Sequence, residues 1–226
     1  MHPKTSTMKR IGHRGAKGHE PENTIISFQK AINLNVDGIE LDVHLSSDDQ
    51  IMVIHDETID RTTNGKGFVK NFTSSQLKEL EIPTLTEVLD LVHRSCFVNI
   101  ELKGIGTAKP VVDLISDYIL KKNWEYIDFL VSSFDWKMLE EVQLLQPKIR
   151  IGVLTEASVE EALAFAKKIK AFSIHPNFRL LTKENVALMQ ENGFEVFTWT
   201  VNSTDDIQKI KSFKVSGIIS DFPDRI

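Results

Sequence analysis

Short β-branched runs alternate with amphipathic stretches along almost the whole chain. That alternation restricts the fold more than any other feature. Eight runs read as strands: Arg10–His13, Gly38–Leu45, Phe97–Leu102, Ile127–Ser133, Arg150–Leu154, Ala171–His175, Glu195–Thr200 and Gly217–Ser220. Between them, Thr24–Asn35, Leu85–His93, Ala108–Lys122, Asp135–Gln146, Ser158–Lys170, Thr182–Asn192 and Ser203–Phe213 carry apolar residues at helical spacing. Thr182, Ser203 and Ser158 open their helices with N-cap chemistry, and Gly193 and Gly217 stand where helices should stop before a strand. Strict alternation predicts a parallel sheet with helical crossovers. Eight units fit a closed (β/α)8 barrel, a TIM barrel in the α/β class. At 226 residues the chain is slightly shorter than the about 250 typical of that fold, so decoration must be sparse. An open, doubly wound sheet is the alternative.

The charged residues gather where these apolar runs end. Glu40 and Asp42 are two apart in Gly38-Ile-Glu-Leu-Asp-Val43, so on a strand they share one face while Ile39, Leu41 and Val43 take the other. Such a pair is either a solvated acidic edge or a cation site, because unpaired carboxylates in an apolar setting repel each other. Glu101 and Lys103 repeat the spacing at the end of Phe97-Val-Asn-Ile-Glu-Leu-Lys103. Three carboxylates suit one divalent cation, Mg2+ or Ca2+, better than Zn2+. His13 and His55 each follow a β-like run, and a facing pair can supply both a base and an acid. Each is alternatively a structural or surface histidine. Arg14 offers a fork for a phosphate or carboxylate. The spread of these residues over the first, second, third and seventh strands favours the barrel, since closure brings their ends together.

Several further motifs complete the pattern. They are His13-Arg14-Gly15, Pro21-Glu22-Asn23-Thr24, Glu40-x-Asp42, His55-Asp56, Glu101-Leu-Lys103, Phe197-Thr-Trp199-Thr-Val-Asn202 and Gly217-Ile-Ile-Ser-Asp221-Phe-Pro223. Their order and spacing resemble the glycerophosphodiester phosphodiesterase family over nearly the whole chain. The resemblance implies metal-dependent hydrolysis of a small-molecule glycerophosphodiester to sn-glycerol 3-phosphate and an alcohol. It assigns Glu40, Asp42 and Glu101 to the metal, His13 and His55 to acid–base catalysis, and Arg14, Lys103 and Trp199 to the substrate. It further implies attack by the substrate's own glycerol 2-hydroxyl, through a cyclic phosphate that water opens. Trp199 is then an apolar wall of the pocket; the ordinary reading is a buried core residue. The turn Ser46-Ser-Asp48-Asp49-Gln50 departs from the family's usual Thr-x-Asp-Gly, but Asp tolerates the left-handed conformation.

One segment breaks the alternation. Ile51–His55 is an extra β run, and about 56–84 is a short insertion holding the turn-rich Arg61-Thr-Thr-Asn-Gly-Lys-Gly67. It reads as a lid over a small substrate or as an ordinary hairpin loop. The rest of residues 1–226 reads as one domain preceded by a loose leader over 1–7. His175 reads as structural or at the outer pocket, Asp221 as shaping the closing loop. His19, His44, His93 and the pairs Lys121-Lys122 and Lys167-Lys168 read as having no role in the site.

A net charge of -5 gives no basic footprint for nucleic acid. No stretch approaches membrane-spanning length, and the first residues lack an apolar signal region, so a cytoplasmic location without membrane insertion is expected. The single cysteine, Cys96, excludes an internal disulfide and reads as a buried, inert thiol. The helix face of Thr182–Asn192 leaves room for a homodimer without demanding one. Two other functions fit the pattern less well. One is release of a head group from lysophospholipids, with Phe68 and Phe72 as an apolar rim. The other is a non-catalytic barrel that binds phosphodiesters, which the presence of both histidines and all three acids disfavours.

Overall fold

A computed structural model describes residues 8–226; the leader expected over 1–7 lies outside the described residues. Eight parallel strands form the barrel: β1 (Lys9–Gly12), β2 (Gly38–Leu45), β4 (Phe97–Leu102), β5 (Phe129–Ser133), β6 (Arg150–Thr155), β7 (Ser173–Pro176), β8 (Glu195–Thr198) and β9 (Gly217–Ser220). Each pairs with its sequence neighbour in the barrel, and β1 pairs with both β2 and β9, which closes the ring. The crossovers are α1 (Ile25–Asn33), α3 (Leu85–Val92), α4 (Ala108–Lys121), α5 (Trp136–Leu145), α6 (Val159–Ile169), α7 (Lys183–Glu191) and α8 (Thr204–Ser212). The chain is thus a TIM barrel, and closure excludes the open sheet. The ninth strand, β3 (Ile51–Val53), runs antiparallel to β2, with His44 opposite Met52. It leads into the insertion, which holds the short helix α2 (Ser74–Lys78).

Local chemistry accounts for most helix starts. Thr182 accepts from the Asn185 N–H and Asn185 caps back, while Ser203 accepts from the Asp206 N–H and Ser158 from the Glu161 N–H. Several expectations need correction: among them, the strand expected from Ala171 begins at Ser173, and the extra run expected to reach His55 stops at Val53. The strand expected from Ile127 begins at Phe129, because Glu125 and Asp128 cap each other and wind Tyr126–Asp128 into a 3-10 turn. The strand expected to reach Thr200 stops at Thr198. Gly217 does not stop a helix. Lys214 takes the left-handed conformation after α8 instead, at φ 60°, while Gly217 lies in β9, where an added Cβ would stand 2.9 Å from the Phe197 ring.

The strands divide their side chains between two cores. Ile39, Leu41 and Val43 point outward and join the large apolar layer under the helices. Ile11, Leu130, Phe197 and Ile219 form an inner core, with Phe97, Phe172 and Trp199 packed against it. Glu40 and Asp42, on the opposite face of β2 from Ile39 and Leu41, therefore face the barrel interior. A separate small core of Met52, Ile54, Ile59, Val69, Leu77 and Ile82 holds the insertion together.

Candidate active site

The acidic trio is a product of strand register. Side-chain alternation turns Glu40 and Asp42 inward, and the β2–β4 pairing sets Glu101 beside Asp42 and Asn99 beside Glu40. Ligand atoms of Glu40, Asp42 and Glu101 lie within 4.8 Å of one another. Burial, then the Asp42 and Glu101 charges, push the Glu40 carboxyl well above its ordinary range. Burial and Asp42 push Glu101 upward too. Glu40 Oε1 and Asp42 Oδ1 are buried and accept no hydrogen bond. Buried oxygens without donors, on three mutually repelling carboxylates, fit a hard divalent cation.

Two histidines flank this trio, one from each of two neighbouring loops. His13 follows β1 and is anchored by its N–H to the Ser220 carbonyl at 2.9 Å. Its Nδ1 lies 2.6 Å from Asp221 Oδ1. His55 follows β3, and its Nδ1 lies 2.6 Å from Asp56 Oδ1. A carboxylate only accepts, so Nδ1 carries the proton in both rings and Nε2 keeps its lone pair. His13 Nε2 lies 4.0 Å from Glu40 Oε2, and His55 Nε2 lies 3.0 Å from Lys103 Nζ. Burial lowers both histidines from their ordinary value, against the raising effect of Asp221 and of Asp42 with Asp56. Burial thus favours the neutral ring, the form in which Nε2 can accept a proton.

Arg14 is fixed on every side. It sits in a left-handed turn at φ 50°, its backbone N–H donates to Glu40 Oε2 at 3.0 Å, and Nη1 donates to Glu22 at 2.7 Å. Its Nε makes an ion pair with Asp42 at 3.2 Å. Gly15 completes the turn at φ 87°, where a Cβ would meet Ser27 at 2.4 Å, so only glycine fits. Lys103 Nζ bridges His55 and Glu101, the latter at 3.3 Å. One cleft is lined by His13, Arg14, Glu40, His55, Glu101, Lys103 and Trp199. Asp42 lies just beneath it, 1 % exposed. Trp199 is a wall of that cleft, its indole N–H donating to the His175 carbonyl at 2.8 Å and its ring set nearly perpendicular to that of Phe134.

The partners that orient these groups stand within the sequence motifs, but their roles emerge only in the fold. Asp221 does more than shape a loop: it orients His13, and is itself held by the Asn202 side chain at 2.8 Å. Asn23 donates to Asp42 at 2.9 Å, and Glu22 and Arg61 bind across from the barrel to the insertion. Asp56 stands next to His55 in sequence, which suggests the pair; Asp221 stands in the closing Gly217–Pro223 motif but lies 208 residues from His13, so nothing local joins those two. His175 is fully buried and structural, outside the cleft. Burial pushes the Cys96 thiol up to about 12, in keeping with an inert group. Phe68 is exposed, whereas Phe72 packs on the insertion core. No helix among the described residues is long and apolar enough to cross a membrane.

Known proteins resemble this chain in both sequence and fold. The glycerophosphoryl diester phosphodiesterase family profile matches residues 13–225. A glycerophosphodiester phosphodiesterase of Caldanaerobacter subterraneus is 38% identical, covering 96% of this chain and 95% of the relative. One of Bacillus altitudinis is also 38% identical, covering 96% of each. Among solved structures, an Oleispira antarctica phosphodiesterase in complex with the product sn-glycerol-3-phosphate superimposes with a TM-score of 0.85 at 27% identity, over 96% of this chain and 94% of that one. A Thermotoga maritima glycerophosphodiester phosphodiesterase does so with 0.82 at 29% identity, over 96% of both. The chain belongs to the glycerophosphoryl diester phosphodiesterase family.

Proposed function

We propose that the protein hydrolyses small-molecule glycerophosphodiesters to sn-glycerol 3-phosphate and an alcohol, with a divalent cation held by Glu40, Asp42 and Glu101. The observation that carries this reading is two imidazoles, each held at Nδ1 by a carboxylate, beside the trio Glu40, Asp42 and Glu101 around one cleft. When bound, Mg2+ or Ca2+ supplies a Lewis acid for the phosphate oxygens. Arg14 and Lys103 add positive charge on the same cleft, where charge on those oxygens builds in the transition state. His13 and His55 divide the proton work: the neutral one takes a proton on Nε2 from the attacking glycerol 2-hydroxyl, the other, protonated on Nε2, gives that proton to the departing alcohol, and water then opens the cyclic phosphate with the two roles exchanged. Asp221 and Asp56 keep the two rings in the tautomer that leaves Nε2 available. Trp199 and Phe134 offer an apolar wall to the glycerol moiety.

The test is release of glycerol 3-phosphate from glycerophosphocholine by metal-stripped protein. Activity is expected to return with Mg2+ or Ca2+ in the wild type and not in Glu40→Gln. Undiminished activity after stripping would remove the cation from the reading. Activity on lysophosphatidylcholine alone would move the substrate to lysolipids.

A further inference from the structure

Among the described residues, Arg61 is the one insertion side chain that reaches across to the β1–α1 loop with a two-pronged contact. We propose that it is a positioning residue, holding His55 in its working orientation by locking Asp56, and fastening the insertion to the barrel mouth. The proposal rests on the phosphodiesterase reading above.

The geometry is a chain of alternating charges. Arg61 Nε donates to Asp56 Oδ2 at 2.7 Å and Nη2 to Asp56 Oδ1 at 3.2 Å. Its other edge meets Glu22, with Nη1 to Oε2 at 3.0 Å and Nη2 to Oε1 at 2.7 Å. Asp56 accepts in turn from His55 Nδ1, and Glu22 from Arg14 Nη1. The imidazole that moves a proton and the guanidinium that faces the phosphate are thereby joined through one arginine. A planar fork can hold two carboxylates at once; the compact ammonium of lysine cannot.

The two histidines differ in how their carboxylates are held. Asp221 follows a barrel strand directly, and Asn202 grips both its side chain and its backbone N–H. Asp56 sits on the insertion side of β3, about 29% exposed, and among the described residues its carboxylate is hydrogen-bonded by His55 and Arg61. Without Arg61 that carboxylate turns toward water, and the His55 ring loses its fixed tautomer and direction. Arg14 would be less affected. It keeps Asp42 and Glu22, and Glu22 keeps Lys17 at 3.4 Å as a second cation. Loss of Arg61 should therefore strike turnover rather than substrate binding.

The experiment measures kcat and KM for glycerophosphocholine with the full chain and saturating divalent cation. Arg61→Ala is expected to lower kcat by about 10–100-fold, the usual effect of removing a group that orients a reacting histidine. KM should stay within about threefold, since uniform binding is untouched. Arg61→Lys should recover little, and added guanidinium should restore turnover to Arg61→Ala while leaving the wild type unchanged. In a double-mutant cycle, Arg61→Ala should add nothing further to Asp56→Asn, because both act through one carboxylate. Guanidinium rescue separates this role from a folding defect, which small cations do not repair; should Arg61→Ala not fold, Arg61→Lys carries the same kcat test. Unchanged kcat, a rise in KM alone, or losses that multiply in the double variant would overturn the proposal. A wild type inactive on this substrate would instead refute the reading on which it rests.

Discussion

His13 and His55 are built alike. Each donates Nδ1–H to a carboxylate 2.6 Å away and leaves Nε2 in the cleft. Either substitution to alanine is expected to reduce kcat by about 10²–10⁴-fold. Far-ultraviolet circular dichroism should be unchanged, because neither ring packs in an apolar core. A variant of either position with wild-type turnover would remove that histidine from the chemistry. At this scale the sequence spoke most clearly through spacing. Two acids at i and i+2 on a strand must share a face, so Glu40 and Asp42 were readable as a pair. The anchoring of His13 by Asp221 was not readable, since it depends on loops that meet only when the ring closes, and that of Arg14 by Glu22 depends on how the single β1–α1 loop folds back on itself.

Among the elements, the insertion behaves as a small structure of its own. Its core is formed by Met52, Ile54, Ile59, Val69, Leu77 and Ile82, separate from the layer under the helices. Capping boxes at Thr73 and Thr84 start the helices at its end. Leu77 is fully buried there. Leu77→Ala is expected to destabilise the segment by about 2–5 kcal/mol, the usual range for a truncated core leucine. Hydrogen exchange should show faster exchange over 56–84 than over β5 and β6; equal acceleration everywhere would mean the insertion is not a separate unit. The break in strand–helix alternation marked this segment in the sequence. Its role as a platform for Asp56 and Arg61 was hidden, because Arg61 and its partner Glu22 are 39 residues apart.

For the molecule as a whole, the interior of the barrel sets the response to acid. His175 is fully buried, bonded to the Ser173 hydroxyl at 2.8 Å, and burial pushes it down to about 3 from an ordinary 6.5. Its ring fills the space that Gly152 leaves, where a Cβ would come within 2.5 Å of it. As pH falls below 6.5, the unfolded chain binds a proton that the folded barrel refuses. Stability is therefore fully present above that pH and is lost on the way down toward 3. The steepest loss for one such group is about 1.4 kcal/mol per pH unit. Thermal melts between pH 7 and pH 4 should fall less steeply for His175→Gln than for the wild type. The acidic trio contributes equally to both proteins, so parallel curves would show that His175 is not the group responsible.

Periodicity and order were enough to predict the strands to within a few residues, the helices between them, the eightfold alternation and the shared face of Glu40 and Asp42 on β2. They are local or nearly local, and a period of two or of 3.6 survives without any knowledge of partners. The motifs carried the family in the same way, as a linear order of residues at strand ends. Tertiary structure alone decided what lies beside what. Closure of β1 on β9 brought Asp221 to His13, the β2–β4 register brought Glu101 to Asp42, and the insertion brought Arg61 to Asp56 and Glu22. Each of these contacts joins strands or loops distant in the chain or fixed by pairing. Their geometry is set by how the sheet closes, which no stretch of sequence contains by itself.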